Sequence, residues 1–173
     1  MCGLSGRCEA LRPPSGTRFA ASAWLEPTDW GVAGAAAPLG DAMPIGGSSE
    51  ALLAFDSLPP GSRIARALLV LTPHPRGPRV ETRLEVVAEQ VGPFRGGALP
   101  ARHGPTPTDF AAARRLVAEG PTRRVRLDVS RAARDVHGAL HLLVRARGDG
   151  SLLFASPWAE DPASRPRLEL MVR

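Results

Sequence analysis

The sequence predicts a mainly β protein: an antiparallel β-sandwich of jelly-roll type with one or two short helices. Three observations lead there. The chain carries many apolar runs of strand length, several of them alternate apolar with polar residues, and Gly- and Pro-rich breaks separate them. The anchor is Ser49 to Thr72, where the apolar runs Ala51 to Phe55 and Ile64 to Leu71 flank Asp56 to Gly61. Pro59 and Pro60 fix φ and remove donors, and Gly61 permits positive φ, so the chain must turn between two buried strands.

Residues 1–17 read as a flexible leader and residues 18–173 as a single sandwich domain. Arg18 to Leu25 is a first strand, ended by Glu26 and Pro27. The small residues and breakers from Thr28 to Ser48 predict a long loop or short edge pieces. After the break at Pro73 to Pro78, in which His74 reads as an exposed turn residue, a strand runs from Arg79 to Val91. Its residues Val80, Thr82, Leu84 and Val86 share one side, so one face is dry and the other wet, as in an antiparallel sheet. Gly92 to Pro107 is another loop. Thr108 as N-cap, Asp109 in the first turn, the stripe Phe110, Ala113, Leu116 and Val117, then Gly120 and Pro121, predict one helix lying on the sheet.

The last third consists of strands. Arg123 to Ser130 alternates, and Ser130 can cap a helical turn from Arg131 to Val136. Ala139 to Ala146 and Ser151 to Ser156 flank Gly148, Asp149 and Gly150, a tight hairpin signal. Arg167 to Arg173 closes the chain after a Pro-bounded loop from Pro157 to Pro166.

Composition narrows the functional classes. The net charge is +5 and every cation is Arg, a bias that matches the codon choice of a high-GC bacterial genome. The arginines are scattered among Asp and Glu, which argues against nucleic-acid binding. Cys2 and Cys8 precede the domain and cannot staple its core, and zinc-ligand spacing is absent. Met1 to Gly16 lacks the apolar run of a secretory signal, and no segment approaches the roughly eighteen apolar residues of a membrane span. The expectation is a protein that stays in the cytoplasm unless exported without a signal or cut from a longer chain. The start, Met1 to Gly6, resembles that of the class II glutamine amidotransferases, whose N-terminal Cys is a nucleophile. The His-Arg-Gly-Pro-Asp element of that family is missing, so the start reads as part of the leader.

Three separated stretches resemble the DNRLRE-type β-sandwich domains, which are classed with carbohydrate-binding modules and related to disaggregatase repeats. They are Leu52 to Leu71, with its Phe-Asp strand end and Ile-x-x-Ala-x-Leu-x-Leu pattern; Val125 to Ala133, similar to the family's Asp-Val-Thr strand end with Ser130 for Thr; and Leu153 to Ser156 with Pro166 to Leu170. The resemblance implies a non-catalytic binding module for a polysaccharide.

Sugar sites need aromatic platforms and a few charged donors, and the candidates are Trp158, Trp30, Trp24, Arg102 and His103. Beside Trp158, Glu160 and Asp161 offer hard oxygen ligands that suit a structural calcium; no other cofactor is expected. Set against these roles, Trp158 could plug one end of the sandwich and Trp30 could be core. Catalysis is not expected, because carboxylates such as Asp56 and Asp128 lie at strand ends and no nucleophile elbow is present. The alternative function is a structural or assembly protein, oligomeric through its loops, with a protein partner in place of the polysaccharide.

Overall fold

The computed structural model describes residues 21–34, 40–81, 83–94, 97–99 and 107–173. The leader with Cys2 and Cys8, and the candidates Arg102 and His103, lie outside the described residues. Twelve strands and one α-helix follow in order: β1 Ala21–Leu25, β2 Asp29–Gly34, β3 Ala42–Gly46, β4 Ser49–Phe55, β5 Ile64–Leu71, β6 Leu84–Val91, β7 Gly97–Leu99, β8 Pro107–Val117, β9 Val125–Asp128, α1 Ser130–Asp135, β10 Leu140–Arg147, β11 Ser151–Ala155 and β12 Arg167–Val172.

The strands make a β-sandwich. One sheet has four strands in the order β1-β12-β5-β9; the other has eight, following β11-β3-β4-β10-β6-β8, with β2 beside β4 and β7 beside β2. Pairing is antiparallel except between β2 and β7. At one end the sheets are tied together, because Pro73, just past β5, bridges to Phe154 of β11. The core between the sheets combines Ala51, Leu53 and Phe55 of β4, Ala67, Leu69 and Leu71 of β5, Leu84 and Val86 of β6, Leu140 and Leu142 of β10, and Leu168 and Leu170 of β12. These are alternate positions on each strand, as the pleat requires.

Several expectations are corrected, among them the loop from Gly92 to Pro107, which holds β7. The segment predicted as a helix from Thr108 is β8, an antiparallel partner of β6 in which Val117 pairs with Leu84 and Ala113 with Ala88. Helix signals are a weak prior, and as a strand the segment pairs with backbone groups on the edge of β6 that a helix lying on the sheet would leave unpaired. The stripe then splits: Ala113 and Val117 are buried, whereas Leu116 is 59% exposed. Between Thr28 and Ser48, read as a long loop or short edge pieces, lie the short strands β2 and β3. The small residues there suit crowded positions; a Cβ on Gly34, which has φ +114°, would lie 1.7 Å from the Ser48 carbonyl oxygen.

The Pro-Pro-Gly turn also works differently from its sequence reading. The positive φ falls on Ser57, at 61°, whereas Gly61 is needed for space, since a Cβ there would lie 2.1 Å from the Arg134 carbonyl oxygen of α1. Ser130 does not cap α1, whose N-cap is Val129. Its Oγ accepts the Ala67 N–H at 2.9 Å and donates to Asp128, so the end of β9 is fastened to the middle of β5. Ser130→Ala would strand that buried N–H and is expected to cost about 1–3 kcal/mol. Urea unfolding beside the exposed-site control Arg131→Ala checks this, and equal midpoints for the two variants would contradict it.

Candidate functional site

The two sheets differ in what covers their outer faces. On the larger sheet, Ala33, Leu52, Val91 and Leu143 form a second apolar cluster with Phe94 against it. Beside it Glu89, largely buried, takes two 2.6 Å hydrogen bonds from Arg145 and one of 3.2 Å from Arg147. Ion pairs with Glu50 and Glu85 extend this network, so that face is closed by its own side chains.

The smaller sheet is open. Leu168 and Leu170 of β12 face the core, so Arg167, Glu169 and Met171 point outward, and register places Trp24 of β1 opposite Glu169 and Ser22 opposite Met171. On the far side, Leu68 of β5 lies next to Glu169 and Asp128 of β9 next to Leu68. Leu68 and Val70 are buried on this face although no third layer lies over them in the sheet order. Long neighbours can shield them with their stems, chiefly Arg167 and Arg126, which flank Val70 in register.

Ser22, Ala23, Trp24, Arg167, Glu169, Leu170 and Met171, with Pro162 and Ala163, line a groove of about 760 Å³. Trp24 is 62% exposed there. Across from it Arg167 donates from Nε at 3.1 Å and Nη2 at 3.0 Å, both to Oε1 of Glu169. Glu169 Oε2 and Arg126 Nε are buried without a hydrogen-bond partner. The groove therefore pairs an aromatic plane with the charged groups of Arg167 and Glu169.

One wall comes from the loop between β11 and β12. Asp161 accepts the Ala163 N–H at 3.0 Å and caps a short 3-10 turn at Pro162–Ser164, which sets Pro162 and Ala163 against the groove. Arg165 fastens the loop to the end of β1 by an ion pair with Glu26 at 3.6 Å, and its Nε donates to the Ala159 carbonyl within the loop. Glu160 and Asp161 are both exposed. Among the described residues no group of three His, Cys, Asp or Glu side chains could hold a metal ion.

The other two tryptophans are placed by the same loop. Trp30 is 5% exposed and belongs to the core, so its ring is not a free stacking surface. Trp158 meets it edge-on at 5.1 Å between centroids, at 83° between planes, and is itself 67% exposed. It thus covers Trp30 with part of its ring and offers the remainder to solvent.

Behind the loop lies a polar clamp. Ser156 donates from Oγ to the Gly40 carbonyl at 2.6 Å and accepts the Trp158 N–H at 3.0 Å, and its own N–H donates to the Asp41 carbonyl. Asp41 also accepts from His74 Nε2 at 3.2 Å and from Arg76 at 3.3 Å, while His74 Nδ1 accepts the Arg76 N–H. His74 is 8% exposed, contrary to the exposed turn its flanking prolines predict, because its N–H joins the Leu153 carbonyl and draws the residue against β11. Ser156, His74 and Asp41 could suggest a catalytic triad, but the Ser156 hydroxyl is bonded to Gly40 and Trp158, leaving no nucleophile-to-base bond.

Of the sequence candidates, then, Trp24 lines the groove, Trp158 projects from the loop that walls it, and Trp30 is buried. Arg167, Glu169, Ser22 and Met171 were missed; alternation marks Arg167, Glu169 and Met171 as one face of the last strand, but not that Trp24 lies beside them. The sequence matches no known protein family and no curated protein. Among the described residues, no helix is long and apolar enough to cross a membrane.

The His74 hydrogen bond holds the Asp41 carboxyl below its ordinary value, an effect that burial opposes and the Arg76 charge assists. A lowered folded-state pKa contributes stability above the ordinary aspartate range, and that contribution fades as pH falls through the lowered value. Asp41→Asn is expected to be less stable than wild type at neutrality and to converge with it in acid. Urea midpoints from neutrality to about pH 2 test this, and a constant difference across the series would refute it.

Proposed function

We propose that the chain is a non-catalytic glycan-binding module whose ligand is a polysaccharide lying along the outer face of the four-stranded sheet. The observation that carries this reading is Trp24, a large aromatic held exposed on a sheet face beside a charged groove. The C–H face of a pyranose packs on an indole ring, and its hydroxyls both donate and accept. Arg167 and Glu169, which line the groove beside Trp24, are the charged groups that a sugar hydroxyl would meet there. Trp158, on the loop that forms one wall, supplies a second aromatic surface. The resemblance to DNRLRE-type domains supports the same reading. Arg167 and Glu169 neutralise each other, as do Arg66 and Asp128 on the same face, so the groove is suited to hydroxyl-rich more than to charged sugars.

A glycan array spanning neutral and acidic polysaccharides is expected to give binding that Trp24→Ala weakens about tenfold or more, the loss typical of a central aromatic contact. Trp158→Ala should weaken it less. Silence across the array, or binding indifferent to Trp24, would sink the reading.

A further inference from the structure

A second surface lies elsewhere on the molecule, where the open edges of the two sheets adjoin. Among the described residues, β8 ends the larger sheet and β9 the smaller, and each is paired on one side only. Between the end of β8 and the start of β9 is a cleft of about 370 Å³, lined by Arg115, Leu116, Val117, Glu119, Pro121, Arg123 and Arg124, among others. Arg114 adjoins it on β8. All four arginines are exposed, and among the described residues none is ion-paired. Other arginines, among them Arg145, Arg147, Arg165 and Arg167, are paired with carboxylates. Arg115 also stands opposite Val86, a fully buried core residue, yet remains in solvent.

We propose that this edge takes an acidic, extended segment of a partner protein, which adds to β8 as a further strand and sets its carboxylates against Arg115, Arg123 and Arg124. Where no described strand bonds to it, the side of β8 away from β6 offers N–H and C=O groups that only another peptide backbone matches in register. Charge then selects the partner. The exposed, unpaired arginines at this edge favour a segment of the opposite sign. A nucleic acid or an acidic glycan could meet the charges but would leave the backbone groups unmatched.

The test is fluorescence anisotropy at low salt with a short labelled peptide of alternating glutamate and valine. Binding is expected to weaken about tenfold or more in the double variant Arg123→Ala/Arg124→Ala. N-methylating alternate amides of the peptide should abolish binding to the wild-type protein, a readout independent of how the variant folds. Trp24→Ala should bind the peptide as wild type does, which separates this surface from the glycan groove. No binding, binding indifferent to N-methylation, or single-stranded DNA or dextran sulfate binding as tightly with the same arginine dependence would overturn the proposal.

Discussion

The structure depends on one strand being buried on both faces. β4 has β2 on one side and β10 on the other, and from Ala51 to Phe55 every residue is buried. Ala51, Leu53 and Phe55 face the core, while Leu52 packs outward with Ala33, Val91 and Leu143. Because side chains alternate with a period of two, a slip of one residue would exchange these two sets, and neither cluster could accept the other's volumes. The same constraint fixes β2 and β10 against β4, and through β10 the positions of β6 and β8.

The asymmetry between the sheets follows. The larger sheet hides Ala33, Leu52, Val91 and Leu143 on its outer face and lays the Glu89, Arg145 and Arg147 network beside them. The smaller sheet buries Leu68 and Val70 beneath side chains of its own outer face. Such a face can be polar and still be firmly built, because β12 is paired on both sides and Ser130 fastens β9 to β5. Trp24 on edge strand β1 is therefore presented by a rigid surface, and the capped 3-10 turn at Pro162–Ser164 gives the groove a defined wall.

Much of the fold was legible in the sequence because it is written in local terms. The apolar runs on either side of Pro59 and Pro60 are β4 and β5, the Gly148-Asp149-Gly150 signal joins β10 to β11, and alternation marks β9 and β12. What was not legible is set by partners distant in sequence. The segment from Pro107 to Val117 carries caps and a stripe suited to a helix, and only the vacant edge of β6 makes it a strand. β2 was obscured by residues chosen for close approach, such as Gly34. His74 is buried by a backbone bond to Leu153, and Gly61 is required by the carbonyl of Arg134; neither relation is visible along the chain. The candidate groove was half legible: an aromatic at Trp24 could be singled out, but the register that brings Arg167 and Glu169 beside it could not.

We propose that recognition takes place on the outer face of the four-stranded sheet. The three tryptophans give three indole N–H signals in a nitrogen–proton correlation spectrum, one exposed in the groove, one exposed on the loop and one in the core. Titrating the protein with oligosaccharides from neutral plant and microbial polysaccharides should shift the Trp24 indole signal together with the amides of Ser22, Arg167, Glu169 and Met171, leaving β4 unmoved. Shifts confined to Trp158 and its loop, or none with any oligosaccharide, would contradict the account.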